Sequence, residues 1–152
     1  MKRLLLMCGM LFSLGLTGCA EEDWGLDQHG VPVTAAELDG QWLLVNYWAE
    51  WCGPCRTEIP ELNALAASEG DLVVLGVNHD GLQGAELADA SKDLGIDFRV
   101  LADDPAERLE VPRSPVLPVT YLVDQRGRVR HKLVGEQTAE GLREHLAKLG
   151  YE

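Results

Sequence analysis

The sequence Trp51-Cys52-Gly53-Pro54-Cys55 places two cysteines, separated by two residues, between an apolar run at 43–48 and an amphipathic segment that begins at Pro54. Two sulfurs at this spacing and at the N-terminus of a helix can close a small disulfide. The helix dipole also favours the thiolate on the first cysteine, and the thiolate is the species that reacts. The stretch therefore predicts a dithiol that exchanges with disulfides.

The segments around this stretch alternate between strand and helix patterns. The near-continuous apolar runs 43–48 and 72–77 are typical of parallel strands that are covered on both faces. A short strand is expected at 98–101, and the runs 119–123 and 129–134 flank a glycine-containing turn and are expected to pair antiparallel. Apolar residues at helical spacing predict three helices, over residues 54–68, 85–94 and 138–149. This order predicts one α/β domain.

Composition limits the partners of this domain. With 152 residues, of which 46% are apolar and 25% are charged, the chain can bury a real core. Its formal charge is −12, whereas proteins that bind nucleic-acid phosphates need clustered lysine and arginine. We therefore expect no nucleic-acid partner.

The N-terminus has the pattern of an export signal. Lys2-Arg3 precede an apolar run, 4–16, which is short for a membrane span but has the length of a signal-peptide core. The next residues, Leu16-Thr17-Gly18-Cys19, resemble the bacterial lipoprotein processing motif, in which cleavage before the cysteine is coupled to its acylation. We therefore predict a lipoprotein signal peptide over 1–18, and a lipidated cysteine with a tether over 19–25. An uncleaved hydrophobic anchor or an ordinary secretory signal is the alternative.

Processing at this motif changes both the thiols and the charge. Cys8 would leave with the signal and Cys19 would be capped, so that only Cys52 and Cys55 would remain as thiols. Loss of Lys2-Arg3 would lower the formal charge from −12 to −14. Anionic headgroups repel such an acidic protein, so the acyl chains would have to supply the attachment.

Two stretches of the sequence resemble the site of one known fold. Residues 46–55 look like the active-site stretch of thioredoxin, and Leu117-Pro118-Val119-Thr120 looks like the cis-proline loop of that fold. The stretch Glu58-Ile59-Pro60-Glu61-Leu62, an inserted helix and strand within 80–111, and the turn at 124–129 resemble the TlpA/ResA branch of membrane-tethered, extracytoplasmic thioredoxins.

This resemblance implies a thioredoxin fold over residues 26–152. That fold has a mixed central sheet flanked by helices, here with the TlpA-type inserted helix and strand and an N-terminal extension. Cys52 is expected to be the nucleophile, and Cys55, one turn into the helix, the resolving thiol that releases the partner. Together they form the redox disulfide.

Glu58 lies three residues beyond Cys55 on the same face of the predicted helix, at the position of an acidic residue in TlpA/ResA-like proteins. We expect it to accept the proton of Cys55. The alternative is a solvated carboxylate on the helix surface. Thioredoxin has an aspartate on the preceding strand, where this chain has Asn46, and an asparagine cannot take that proton.

The expected substrate-binding residues surround the two sulfurs. Pro118 is expected to be cis, which would place the backbone of Leu117 where an extended peptide can add as a short strand. Trp51 is expected to form part of an apolar rim beside Cys52. The dipeptide Gly53-Pro54 is the one found in reducing thioredoxins and favours a reductase.

The sequence thus predicts a lipid-anchored thiol-disulfide oxidoreductase that faces the periplasm, or the equivalent outer face, and reduces disulfides in exported proteins. The outer membrane is favoured for a Gram-negative host, because Ala20 follows Cys19. In this family a DsbD- or CcdA-like membrane protein supplies the electrons, and we expect no cofactor besides the redox disulfide and no metal. The alternatives are a disulfide-forming oxidant of the same fold and a non-catalytic copper-binding module that uses Cys52 and Cys55. A peroxidase is disfavoured, because the cysteines are paired.

Overall fold

The two long apolar runs form adjacent parallel strands, β1 (Trp42–Trp48) and β2 (Leu72–Asn78), in a computed structural model that describes residues 23–68 and 70–151. Every residue of β1 is buried. A central strand that is apolar along its whole length requires cover on both faces of the sheet, and the fold supplies it.

The sheet has five strands in the order β3-β2-β1-β4-β5. β3 (Arg99–Leu101) pairs parallel with β2, whereas β4 (Val119–Val123) pairs antiparallel with β1. β5 (Val129–Val134) pairs antiparallel with β4. The predicted mixed sheet and hairpin are therefore confirmed.

The three predicted helices are present, and capping residues set both ends of the last one. They are α2 (Gly53–Ser68), α3 (Gly84–Asp93) and α4 (Ala139–Leu149), and they begin within one residue of the predicted positions. Thr138 caps the start of α4 by accepting a hydrogen bond from the Gly141 N–H at 3.1 Å. Gly150 ends α4 in the left-handed conformation, with φ of 95°.

Two apolar clusters cover the sheet. Leu44 and Trp48 of β1 pack in the first cluster, together with buried residues of α2, α3 and α4. Leu43 and Val45 point to the opposite face and pack in the second cluster. Both cysteines belong to the first cluster, so they pack against the core on that face of the sheet.

The residues before β1 are part of the folded domain. Trp24 N–H donates to the Val33 carbonyl, and Val33 N–H donates to the Gly25 carbonyl, each at 2.8 Å. Trp24 and Gly25, which the sequence placed in the tether, therefore pack with the domain. The side chain of Gln28 covers the free edge of β3, because it accepts from Val100 N–H at 2.7 Å and donates to the Phe98 carbonyl at 3.0 Å.

A short helix, α1 (Ala35–Leu38), precedes β1 and was not predicted. A capping box between Thr34 and Glu37 starts it. The predicted signal peptide 1–18 and the predicted lipidation site Cys19 lie outside the described residues. Among residues 23–68 and 70–151, no helix combines the length and the apolar character needed to cross a bilayer.

Asp124 organises the turn between β4 and β5. Its Oδ1 accepts hydrogen bonds from the main-chain N–H groups of Arg126 and Arg128, both at 3.0 Å, and its Oδ2 accepts from the guanidinium groups of Arg128 and Arg130. Burial opposes ionisation of this carboxyl, but these hydrogen bonds outweigh burial and lower the pKa of Asp124 to about 2.

Candidate active site

The two cysteines lie where β1 ends and α2 begins. Cys52 immediately precedes α2, and its Sγ is bonded to that of Cys55 at 2.05 Å, with 5.3 Å between the Cα atoms. The main-chain N–H of Cys55 donates to Cys52 Sγ at 3.2 Å, so this sulfur takes the place of a capping oxygen. A helix N-terminus with such a donor stabilises negative charge on Cys52.

Both cysteines are buried in the disulfide form, Cys52 slightly less so than Cys55. Cys52 is 4% exposed in this disulfide form and Cys55 is fully buried, whereas the neighbouring Gly53 and Pro54 are exposed. The place of Cys52 at the start of α2 is as expected. The order of access matches an attacking Cys52 and a resolving Cys55.

The loop before β4 forms the other wall of the site. The Leu117–Pro118 peptide bond is cis. Val119 pairs with Tyr47 near the end of β1, so this loop and the cysteines lie at the same end of the sheet. Leu117 is half-buried and packs against the cluster that contains both cysteines. The structure thus brings together the two stretches that resemble thioredoxin.

Trp51 lies on the surface beside the disulfide. Its side chain is 66% exposed, and its Nε1–H donates to Asp80 Oδ2 at 2.8 Å. Its ring also meets that of His79 edge-on, with 6.3 Å between the centroids. Val116, next to the cis-proline loop, is a second exposed apolar side chain. Trp51 thus presents an exposed ring next to Cys52, held at its edge by Asp80 and His79.

Glu58 is completely buried beneath the site. Its Oε1 accepts a hydrogen bond from Asn46 Nδ2 at 2.7 Å, and its Oε2 accepts from the main-chain N–H of Gln137 at 3.1 Å. A solvated carboxylate on the helix surface is therefore ruled out for this residue. Burial raises the pKa of Glu58 to about 7, against the opposing effect of these two hydrogen bonds. A carboxyl that titrates near neutral pH is suited to proton transfer.

Asn46 connects Glu58 to β4. Its Nδ2 also donates to Thr120 Oγ1 at 3.0 Å, so both amide hydrogens are used. The carbonyl oxygen Oδ1 is buried and has no hydrogen-bond partner in the described part of the chain. The network therefore offers Glu58 donors only, which fits its ionised form. Sequence reasoning assigned no role to Thr120 or Gln137. Thr120 reaches the site through its register opposite Asn46, which the sequence does not show.

Within residues 23–68 and 70–151, no group of three or more histidine, cysteine, aspartate and glutamate side chains is arranged to hold a metal ion.

Comparison with known proteins identifies this arrangement. The sequence pattern of the AhpC/TSA family matches residues 17–132. The chain belongs to the AhpC/TSA family. It is 34% identical over 131 residues to the thiol:disulfide interchange protein DsbE of Pseudomonas aeruginosa, which covers 77% of this chain and 64% of that protein. It is 30% identical over 127 residues to the thiol-disulfide oxidoreductase ResA of Bacillus anthracis, which covers 81% of this chain and 72% of that protein.

A solved structure shows the same architecture. The crystal structure of a DsbF homologue from Corynebacterium diphtheriae superposes with a TM-score of 0.69 at 27% identity, and the match covers 82% of each chain. The thioredoxin fold is therefore confirmed. With its paired cysteines, this member of the AhpC/TSA family is a thiol-disulfide oxidoreductase of the DsbE/ResA type.

Proposed function

We propose that this oxidoreductase is anchored by a lipidated Cys19 on the outer face of a bacterial membrane, where it reduces disulfides of exported proteins. The observation that carries the proposed chemistry is the Cys52–Cys55 disulfide at the start of α2, beside the cis Leu117–Pro118 peptide and above the buried Glu58. The cis-proline loop holds an extended peptide, and the start of α2 supplies the dithiol.

The reaction is a two-step exchange. The Cys52 thiolate attacks one sulfur of the partner's disulfide, and the other sulfur leaves as a thiolate that takes up a proton. Glu58 then accepts the proton of Cys55, whose thiolate attacks Cys52 Sγ and releases the second partner sulfur. Two electrons pass to the partner, and the Cys52–Cys55 disulfide forms. Return to the dithiol needs a two-electron thiol donor, which we propose is a DsbD/CcdA-like membrane protein. The protein itself needs no cofactor besides its disulfide.

The direction of electron flow rests on Gly53-Pro54. In this fold the dipeptide between the cysteines sets the redox poise, and reducing thioredoxins have potentials of about −270 mV. A dithiol with such a low potential stays reduced only while an electron donor keeps reducing it.

Alkylation trapping in cells should therefore find Cys52 and Cys55 predominantly reduced. The trapped protein is separated by the mass that the alkylating reagent adds, and a Cys52→Ala, Cys55→Ala double variant marks the unlabelled position. Loss of the membrane thiol donor should convert the pair to the disulfide. A pair that is stably oxidised in the presence of the donor would instead support a disulfide-forming oxidant. Copper that copurifies with an exchange-inactive protein would support the metal-binding alternative.

The proposed anchor rests on Leu16-Thr17-Gly18-Cys19, and Ala20 at the next position favours the outer membrane of a Gram-negative host. A Cys19→Ala variant should move from the membrane fraction to the soluble periplasmic fraction, or remain as an unprocessed precursor, and should not incorporate labelled fatty acid. The Cys8→Ala variant is the matched control and should fractionate like the wild type. Fatty-acid labelling that persists in Cys19→Ala would rule the anchor out.

A further inference from the structure

The segment 135–137 is hydrogen bonded both to the cis-proline loop and to the buried Glu58. At one end, Gly135 N–H donates to the Pro118 carbonyl at 2.9 Å. At the other end, Gln137 N–H donates to Glu58 Oε2 at 3.1 Å. The Gln137 side chain closes the segment on itself by donating to the Gly135 carbonyl at 2.8 Å. Two main-chain donors, two residues apart, thus connect the cis-proline loop with the buried carboxylate.

A second route joins the same two places. Asn46 donates from one amide nitrogen to Glu58 Oε1 and to Thr120 Oγ1, and Thr120 lies two residues beyond Pro118 on β4. Each oxygen of Glu58 is therefore linked by hydrogen bonds to the stretch that begins at Pro118. A displacement of that stretch acts on both oxygens of the carboxylate together.

The position of Gln137 N–H is fixed from the α4 side as well. Thr138, the next residue, caps α4, and the N–H of Ala139 donates to Glu61 Oε2 at 2.9 Å. Two carboxylates of α2, one turn apart, thus hold the entrance to α4. The main-chain N–H of Gln137 is therefore held in place from both sides. It is this N–H, and not the Gln137 side chain, that contacts Glu58.

The groups that face Glu58 carry little charge. Asn46 of β1 is neutral, Gln137 contributes only its N–H, and Glu136 on the same segment is the charged group that acts on Glu58, disfavouring its ionisation. A hydrogen bond from an N–H stabilises the carboxylate form, so loss of the Gln137 donor disfavours ionisation further.

We propose that Gln137 is a positioning residue, whose main-chain N–H couples the ionisation of Glu58 to the binding of a substrate peptide on the Leu117–Pro118 loop. The proposal rests on the proposed function and adds to it. Peptide seated on the loop acts through Pro118 and Gly135 on the Gln137 donor, and thereby on the group that accepts the Cys55 proton. By linkage, the ionised carboxylate in turn favours the seated peptide. A small disulfide that makes no contact with the loop lacks this effect.

The test compares Gln137→Pro, which removes the N–H, with Gln137→Ala, which keeps the N–H and removes only the side chain. Exchange rates of the full chain are measured against pH with two probes, a peptide disulfide and glutathione disulfide. For the wild type and Gln137→Ala, the apparent pKa near neutrality in the pH dependence of the exchange rate is expected to differ between the two probes. In Gln137→Pro it should rise by about 1 with glutathione disulfide, and the difference between the probes should vanish.

Two results would overturn the proposal: identical profiles for Gln137→Pro and Gln137→Ala, or a difference between the probes that persists in Gln137→Pro. A wild type that exchanges with neither probe would contradict the proposed function instead. The wild type supplies a second readout in case Gln137→Pro does not fold. The amide proton resonance of Gln137 should titrate with Glu58 in the wild type and should not do so in Glu58→Gln. A Gln137 amide that is insensitive to pH in the wild type would also overturn the proposal.

Discussion

Cys52→Ala is expected to lose dithiol-disulfide exchange down to background, by about 10³-fold or more. Cys52 Sγ accepts a hydrogen bond from the Cys55 N–H at the start of α2. The N-terminus of the helix therefore stabilises a thiolate on Cys52. The remaining thiol, Cys55, is fully buried and cannot reach a protein disulfide. The measurement is the rate at which the purified, reduced chain reduces a protein disulfide.

Cys55→Ala is the matched variant, because it removes the other half of the same disulfide. It keeps the attacking thiolate and lacks the resolving thiol, so it should accumulate mixed disulfides with partner proteins that a reductant releases. Cys52→Ala should capture none. Failure of Cys55→Ala to trap any partner, or retained turnover in Cys52→Ala, would contradict the assigned order of attack.

The parts of this site that the sequence predicts are those that depend on local spacing. The two cysteines lie three positions apart, and the run 43–48 and the pattern after Pro54 fix the strand and the helix on either side of them. Apolar runs as long as β1 and β2 have a single favourable environment, inside a sheet covered on both faces. The α/β organisation follows from these local patterns, whereas the thioredoxin fold was implied by the resemblance of residues 46–55 and 117–120 to that family.

The surroundings of Glu58 could not be read in this way. Its hydrogen-bond partners Asn46 and Gln137 lie 12 and 79 positions away along the chain, and they meet it only because β1, α2 and the entrance to α4 pack together. Its position was predictable from helical spacing, whereas its burial is a tertiary property. The same holds for Thr120, which reaches the site through its register opposite Asn46.

Helix α1 was missed for a different reason. It has only four residues and one buried apolar side chain, Leu38, so it has no hydrophobic period. The Thr34 and Glu37 pair, a capping box, is nevertheless visible in the sequence. Short helices that depend on their caps are found by capping signals and not by periodicity.

Glu58→Gln is expected to slow the resolving step by about 10²-fold above pH 7, because general-base catalysis contributes effects of this size. In the wild type, burial raises the pKa of Glu58 to about 7, so the rate should rise with pH as the carboxylate forms. Glutamine cannot accept a proton, and its profile should lack this rise. The measurement is the release of partner from a preformed mixed disulfide with Cys52 as a function of pH.

Glu61→Gln is the matched control. Glu61 lies one turn further along α2 and, like Glu58, accepts a hydrogen bond from a main-chain N–H. Its substitution should leave the rise near pH 7 in place. If Glu58→Gln shows the wild-type profile, Glu58 is not the proton acceptor.

Glu58→Gln should also change how the stability of the protein depends on pH. The pKa of Glu58 rises from its ordinary value of 4.5 to about 7 on folding, so between these values the folded protein binds more protons than the unfolded chain. The free energy of unfolding should therefore fall as pH rises through this window, by about 3 kcal/mol for this one group. Glu58→Gln should lack that part of the fall, as measured by denaturant unfolding of the oxidised proteins at pH 5 and pH 8. Because other groups titrate equally in both proteins, the difference between the two slopes isolates Glu58, and equal slopes would show that this carboxyl does not titrate near neutrality.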